Sequence, residues 1–336
     1  MQLPAPRGPL SQQVRLVLSG RATQGSMDWS SVTSLPRPAD RILHDEDFQL
    51  ALWMLFELHY RGFDAVDPDL EWDPLLIHSR GMLEASLESL LRDLTADDVR
   101  RANRAGGCFT NRLSGLIDEL DGGSLATFLQ RRATSEQFAD FMRRRSIYHL
   151  KESDPQSFVL PRIDGPAKVA LAELQYDEYG AGRADRLHAG LFADALNALG
   201  LDSTYGAYIE EADATTLAVN NVMSMFALRR RLRGASLGHL AAFEATSSAP
   251  CRRILSGIQR LGLPAATALY FDEHVEADAV HEQLAIRSIC AAMVEGEPGL
   301  ADDVLFGAAS CLRVEAIASE TLVETWESHQ LVEAPA

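Results

Sequence analysis

The chain has 336 residues, of which 46% are hydrophobic, 24% charged and 7% aromatic. This composition is enough for a globular protein with one large domain or two small ones, and it excludes a disordered or fibrous chain. The formal net charge of −17 would repel a phosphate backbone, so we expect no nucleic acid partner. The four cysteines are far apart and form no Cys-x-x-Cys pair, which argues against a zinc ribbon or an iron-sulfur cluster.

The N-terminal segment, residues 1–39, differs from the rest of the chain in charge and composition. It carries four arginines against one acid, Asp28, among many proline, serine and glycine residues. We therefore predict a flexible leader, in which the prolines interrupt any long amphipathic targeting helix. No run in the chain approaches the roughly 18 apolar residues of a membrane helix, so we expect a cytoplasmic protein with no membrane partner.

The remainder of the chain has helical periodicity. The segment "DEDFQLALWMLFELHYRGF" repeats its apolar residues close to every 3.6 positions, and further helix-length segments follow between prolines and glycines. No alternating strand pattern occurs, and no glycine-rich nucleotide-binding loop follows a strand. The sequence thus predicts an all-α bundle of about eight to ten helices, whose core is a natural place for a metal site.

The strongest local signal is the segment "YFDEHVEADAVHEQ", which contains His274, Asp278 and His281. At about 100° per helical residue, Asp278 lies about 40° to one side of His274 and His281 about 20° to the other. Two imidazoles and a carboxylate on one narrow stripe are a ligand set that suits iron or manganese. The alternative is a solvated acidic helix face with two chance histidines.

A second candidate is Glu244, a lone acid in the apolar, small-residue segment "GHLAAFEATSS". Burying an unpaired carboxylate there would cost several kcal/mol, a cost that a metal ion would remove. The alternative is an acid at a helix end close to Thr246 and Ser247. His239, which lies about 140° away around the helix, is interpreted as a structural histidine.

A third candidate is His188, paired with either Asp185 or Glu178. Asp185 lies one turn before His188, whereas Glu178 would be about 15 Å away along a regular helix. Gly180 and Gly182 lie between them, and each glycine weakens a helix by about 1 kcal/mol relative to alanine. We therefore predict a break at residues 179–182 that folds Glu178 back toward His188, and the residues alone leave both carboxylates open.

In chain order, these residues resemble the ligand series of the heme-oxygenase-like diiron oxidases and oxygenases. The pattern is Glu, Glu-x9-His, Glu and then His-x3-Asp-x2-His. The resemblance implies a heme-oxygenase-like helical domain at residues 125–332 that binds two iron ions in place of heme, and it favours Glu178 over Asp185. Residues 40–124 would be an added N-terminal helical region, packed on the core or forming a homodimer interface. The implied metal ligands are Glu152, Glu178, His188, Glu244, His274, Asp278 and His281.

Glu152 stands apart from the other implied ligands because the chain's own pattern does not select it. Its segment, "YHLKESDP", places it as an acid near a helix C-terminus, beside the negative end of the helix dipole. In the resemblance it matches the extra carboxylate of the amine-oxygenating members. Glu152 therefore favours nitrogen oxygenation over carbon oxidation.

The resemblance implies an enzyme, a non-heme diiron oxidoreductase that takes a small molecule and dioxygen as substrates. We expect oxygenation of an amine of an amino-acid-like metabolite. The alternatives are C–C or C–H cleavage, such as oxidative decarboxylation, and a non-catalytic iron-binding protein. Because the sequence contains no flavin or nicotinamide signature and the family uses no heme, we expect electrons from an external donor such as an iron-sulfur protein.

Overall fold

The computed structural model describes residues 1–21 and 39–333, and for residues 39–40, 276–280 and 329–333 it describes the backbone alone. All regular structure in these residues is helical, which confirms the predicted all-α fold. None of the described helices is both long enough and apolar enough to cross a membrane. The α-helices are α1 (Pro9–Leu18), α2 (Glu46–Glu57), α3 (Pro74–Ala105), α4 (Phe109–Leu120), α5 (Ser124–Arg131), α6 (Ser135–His149), α7 (Asp154–Ser157), α8 (Gly165–Glu178), α9 (His188–Ala198), α10 (Ala214–Leu228), α11 (Arg233–Ala245), α12 (Ser248–Leu261), α13 (Ala265–Gln283), α14 (Ala292–Gly296) and α15 (Ala301–Glu333). Short 3₁₀ segments lie at Ala39–His44, Pro68–Trp72, Leu160–Arg162, Ala184–Arg186, Arg230–Leu232 and Pro298–Leu300, and a π-helical segment, Leu284–Ala291, joins α13 to α14.

Helices α11 and α15 cross closely at the centre of the bundle. A Cβ atom on Gly238 would lie 1.9 Å from the carbonyl oxygen of Val304, and one on Gly307 would lie 1.9 Å from that of Ala235. Only glycine allows two backbones to approach so closely. This contact fixes the position of α11, whose C-terminal end carries Glu244.

The flexible leader predicted for residues 1–39 is wrong for residues 1–21, which include α1. Leu10 and Val14 are fully buried, and both pack in one core cluster with residues of α2. The prolines misled the prediction, because Pro9 occupies the first turn of α1, where a missing N–H costs nothing. Residues 22–38 lie outside the described residues.

The N-terminal helices α2 and α3 share a hydrophobic core with the later helices. Phe48 and Leu55 of α2 belong to the same buried cluster as Phe226 of α10 and Phe306 of α15. Burial of large apolar side chains is the main favourable term in folding, so the two parts of the chain stabilise each other. The domain boundary at residue 124 stays a prediction.

Candidate metal centre

Six of the seven predicted ligands lie together in the interior of the bundle. All six residues are buried, with exposed fractions between 2% and 6%. The backbone of the seventh, Asp278, belongs to α13, and its side chain lies outside the described residues. The six are Glu152 from the turn after α6, Glu178 at the end of α8, His188 at the start of α9, Glu244 near the end of α11, and His274 and His281 from α13.

The first group of potential ligands consists of Glu152, Glu178, His188 and His274. One ligand atom from each residue lies within 4.8 Å of the others. Nδ1 of His188 is 3.1 Å from Oε2 of Glu178, and Nε2 of His274 is 3.6 Å from Oε1 of Glu152. The two carboxylates and two imidazoles thus converge on one small volume.

The second group consists of Glu178, Glu244 and His281, again with ligand atoms within 4.8 Å of one another. Nδ1 of His281 lies 3.4 Å from Oε1 of Glu178 and 3.5 Å from Oε2 of Glu244. Glu178 therefore belongs to both groups, and it offers a different oxygen to each. Its Oε2 faces His188 in the first group, and its Oε1 faces His281 in the second.

The chain reverses between Glu178 and His188, which confirms the predicted helix break. Helix α8 ends at Glu178, and Gly180, Ala181 and Gly182 follow with φ angles of +80°, +52° and +81°. These left-handed conformations stop the helix and bring His188 back to Glu178.

The alternative carboxylate in this segment, Asp185, lies outside the interior cluster. Its side chain is 69% exposed and pairs with Arg183, with Nη2 of the arginine 2.6 Å from Oδ2 of the aspartate. Asp185 also belongs to neither group of potential ligands. Of the two carboxylates that the residues alone left open, only Glu178 therefore reaches the cluster.

Buried polar atoms at this cluster fit a metal ion. Nδ1 of His188 and Nδ1 of His281 are buried and make no hydrogen bond. Each lies near an oxygen of Glu178, at 3.1 Å and 3.4 Å. A buried polar atom without a partner costs free energy comparable to a lost hydrogen bond. Imidazole nitrogens and carboxylate oxygens are a donor set that suits iron, so the residues present match the predicted metal.

The three buried carboxylates respond differently to their surroundings. Burial raises the pKa of Glu178, but the neighbouring His188 and His281 imidazoles outweigh it and hold that pKa at about 2. Burial likewise opposes ionisation of Glu152, yet His149 and His274 lower its pKa well below the usual range. For Glu244 burial prevails and raises the pKa. Two of the carboxylates thus favour the anionic form that binds a metal.

Two residues that the sequence analysis did not select hold Glu152 in place. The Tyr270 hydroxyl donates to Glu152, with oxygen separations of 2.8 Å to Oε1 and 3.0 Å to Oε2. Nδ1 of His149 lies 3.0 Å from Oε1 of Glu152 and 2.8 Å from the Tyr270 hydroxyl. Nδ1 of His274 contacts the Tyr270 carbonyl oxygen at 2.8 Å, which leaves Nε2 directed at the cluster. The sequence could have pointed to Tyr270, because it lies four residues before His274 and therefore on the same face of α13.

A cavity of about 290 Å³ reaches this cluster. His149, Tyr270 and His274 line it together with Phe141, Phe243 and Phe271. Clefts of this size with apolar walls and a few polar groups are typical of small-molecule sites. The cavity therefore gives a small molecule access to the first group of potential ligands.

The wall of this cavity also contains a charged pair, Arg145 and Glu315. The contact is bidentate: Nη1 and Nη2 of the guanidinium each lie 2.9 Å from a carboxylate oxygen. A smaller cavity of about 40 Å³ borders the same two residues and is also lined by Asn220, whose buried Oδ1 has no hydrogen-bond partner. Arg145 and Glu315 thus place one positive and one negative group in the wall of the larger cavity, which is otherwise largely apolar.

Known structures share this fold. Two crystal structures of a CADD-like protein of unknown function from Nostoc punctiforme PCC 73102 share the fold, at 17% identity and TM-scores of 0.51 and 0.52. They cover 68% and 64% of this chain and 98% and 97% of those chains, which supports the predicted heme-oxygenase-like bundle.

A curated relative, nitrosourea synthase from Streptomyces achromogenes subsp. streptozoticus, is 26% identical over 159 residues, or 47% of this chain. The match spans only 34% of that protein. The family model described as iron-containing redox enzyme matches residues 139–316, a range that contains all the predicted ligands. The chain belongs to this family of iron-containing redox enzymes and is an oxidoreductase.

Proposed function

We propose that this chain is a non-heme diiron enzyme that uses dioxygen to oxygenate an amine nitrogen of an amino-acid-like metabolite. The observation that carries the diiron part is the position of Glu178. This carboxylate belongs to both groups of buried ligand atoms and presents one oxygen to each. A carboxylate shared in this way is the arrangement by which helical bundles hold two metal ions.

In this proposal each group of ligands holds one iron. Bound ferrous iron supplies the electrons that dioxygen activation needs, a chemistry that protein side chains cannot perform alone. No flavin, nicotinamide or heme takes part. The first iron would be held by Glu152, Glu178, His188 and His274, and the second by Glu178, Glu244 and His281. Asp278 of α13 would be a further ligand.

The neighbouring residues orient the ligands and exclude bulk water. Tyr270 and His149 fix the carboxylate of Glu152, and the Tyr270 hydroxyl holds its proton at that carboxylate. The aromatic walls of the cavity keep water away from a bound substrate, and this strengthens every electrostatic contact inside. The substrate approaches from the side of Glu152 and His274, because His274 lines the cavity.

Three observations support an amine substrate. The curated relative is named for the synthesis of a nitrosourea, a compound that contains an N–O bond, although the chain matches only a third of that protein. Glu152, the carboxylate that distinguishes amine-oxygenating members in the resemblance, lies within the first group. Arg145 and Glu315 offer complementary charges to a molecule that carries both a carboxylate and an ammonium group.

Electrons come from an external donor such as an iron-sulfur protein in this proposal, and the reaction takes place in the cytoplasm. The donor is testable directly: if the bound iron is the source of electrons, turnover should stop after one round once that iron is oxidised. Adding a reduced ferredoxin should then restore repeated turnover. Repeated turnover without any added reductant would contradict this part of the proposal.

The test is to load the protein with ferrous iron without oxygen, mix it with dioxygen and a panel of amino acids with amine side chains, and identify products by mass spectrometry. Oxygen use that depends on the amine, with a hydroxylamine or nitro product, would support the proposal. A decarboxylated or C–H-cleaved product would favour carbon oxidation instead. Uptake of many irons per chain, without substrate-dependent oxygen use, would favour a non-catalytic iron-binding protein.

Two variants make the assignment of Glu152 specific. Glu152→Ala should suppress the nitrogen-oxygenated product, because it removes one ligand of the first iron. Asp185→Ala is the matched control, since it removes an exposed carboxylate from the neighbouring loop. Equal product formation by both variants would remove the support that Glu152 gives to nitrogen oxygenation.

A further inference from the structure

A fully buried ion pair lies directly beside the turn that carries Glu152. Nζ of Lys151 is 3.0 Å from Oε2 of Glu57, and the two side chains are 2% and 0% exposed. The Tyr205 hydroxyl donates to the same carboxylate at 2.8 Å, and the ammonium group stacks 4.0 Å from the ring centre of Tyr60. Removing two charges from water costs free energy that their mutual attraction does not always recover. A contribution to stability is therefore a weak explanation for this pair, and a functional role is worth considering.

The pair connects the N-terminal helical region to the turn between α6 and α7. Glu57 is the last residue of α2, and Lys151 immediately precedes Glu152. A second contact runs parallel to the first, because Nη2 of Arg61 donates to the carbonyl oxygen of Leu150 at 2.9 Å. Glu57 at the end of α2 and Arg61 in the turn that follows it therefore hold two consecutive residues: the side chain of Lys151 and the backbone of Leu150.

The turn itself adopts a conformation that its sequence does not favour. Ser153, which follows Glu152, has a φ angle of +65°, a left-handed value that is uncommon outside glycine. Such conformations persist only where surrounding contacts impose them, and they cluster at functional sites. On the far side of the turn, Gln175 donates to the Ser153 carbonyl at 2.8 Å and the Ser153 hydroxyl donates to Oε2 of Glu178 at 3.2 Å.

We propose that Glu57, Arg61 and Lys151 are positioning residues of the metal centre, which together hold the turn so that the Glu152 carboxylate points into the first group. This inference rests on the proposed function, because it assumes that Glu152 binds iron. The N-terminal helical region then belongs to the metal centre, since a residue of α2 sets the place of a ligand. Neither Glu57 nor Lys151 contacts the metal ions in this account.

The test is the double variant Glu57→Gln/Lys151→Met, which removes both charges together and so leaves no unpaired buried ion. The glutamine keeps an acceptor for the Tyr205 hydroxyl. Anaerobic titration with ferrous iron should show one of two irons bound at least tenfold more weakly than in the parent. The Mössbauer spectrum of the loaded protein should change in the signal of that iron alone.

The matched control is Asp98→Asn/Arg313→Met, which removes an ion pair between α3 and α15 that touches neither group of ligands. It should bind both irons as the parent does. If the Glu57→Gln/Lys151→Met variant also binds both irons with parental affinity, the positioning role is refuted. If the parent itself binds no iron, the proposed function fails, which is a different result.

A third variant keeps the test decisive if the double variant does not fold. Arg61 is exposed, so Arg61→Met removes the bond to the Leu150 carbonyl without burying a charge. Weaker binding of one iron by this folded variant would support the inference, and unchanged binding of both would overturn it. A Lys151→Arg variant, which keeps the ion pair, should retain most of the parental affinity.

Discussion

Replacing Gly180 with alanine should destabilise the turn that brings His188 back to Glu178. The φ angle of +80° costs a non-glycine residue about 1–2 kcal/mol. The new Cβ would also lie 2.3 Å from the Arg183 carbonyl oxygen and 2.8 Å from the Leu187 nitrogen, and overpacking of this kind adds about 1–3 kcal/mol. We expect Gly180→Ala to lower the free energy of unfolding by about 2–5 kcal/mol in total.

Gly182 provides a control with the same backbone strain and no overlap. Its φ angle is +81°, but an added Cβ would meet nothing closer than the Tyr176 hydroxyl at 3.4 Å, an ordinary contact. Gly182→Ala should therefore cost only about 1–2 kcal/mol. Chemical denaturation of the two metal-free variants, side by side, measures the difference.

Iron binding separates a local effect of this turn from a general loss of stability. Leu187 directly precedes His188, so a shift of its backbone in Gly180→Ala should displace the imidazole and weaken iron binding. Gly182→Ala should keep parental iron affinity. Equal unfolding free energies and equal iron affinities in the two variants would refute the claim that the close approach at Gly180 sets the geometry of the cluster.

Four further predictions follow from individual side chains. Glu178→Gln should weaken the binding of both irons in an anaerobic titration, whereas Glu244→Gln should weaken only one; equal effects would contradict the sharing of Glu178. Asp185→Asn should leave the titration unchanged, because that side chain is exposed. Tyr270→Phe removes a donor to a buried carboxylate, so the unfolding free energy of the metal-free protein should fall by about 1.5–3 kcal/mol in a denaturant titration. Burial lowers the pKa of His239 from 6.5 to about 4. Between pH 6.5 and pH 4 the unfolded state therefore binds more protons than the folded state, and the free energy of unfolding should fall by about 3 kcal/mol as the pH drops from 6.5 to 4. Unfolding curves of His239→Leu between these pH values should lack this contribution, and an unchanged pH dependence would exclude His239 as its source.

Parts of the site that depend on one helix could be predicted from the sequence. His274 and His281 lie on one face of α13 because a helix repeats every 3.6 residues. This shared face can be predicted from one segment of the sequence. Glu244 was identified because an isolated acid in an apolar helix must find a partner. The helix break after Glu178 was predictable from Gly180 and Gly182, because a glycine weakens a helix through its own backbone freedom and needs no contact with a distant segment.

Parts that depend on contacts between distant segments could not be predicted. Glu57 and Lys151 are 94 residues apart, and each alone looks like an ordinary surface charge. Arg145 is the last of three consecutive arginines, and the sequence alone does not show which of the three faces inward. In the structure it lines the cavity with Glu315 of α15. Such pairings exist only once the helices have packed, because side chains of different helices have no fixed relation along the chain.

The sequence also misled at the N-terminus. The proline and glycine content of residues 1–39 suggested a flexible leader, whereas Leu10, Val14 and Leu18 of α1 are buried. Their spacing of four residues is helical, but α1 has only ten residues, and the content of the whole segment outweighed this short pattern. For residues 1–21, the spacing of the apolar residues predicts the structure better than the composition does.

The central claim, that Glu178 is shared between two iron ions, is tested most directly by anaerobic iron titration followed by Mössbauer spectroscopy of the oxidised protein. The account predicts two irons per chain and a spin-coupled pair, because Glu178 would be a ligand of both ions. In the Glu178→Gln variant the coupling should be lost. A single iron per chain, or two irons that behave as isolated ions in the parent, would contradict the account.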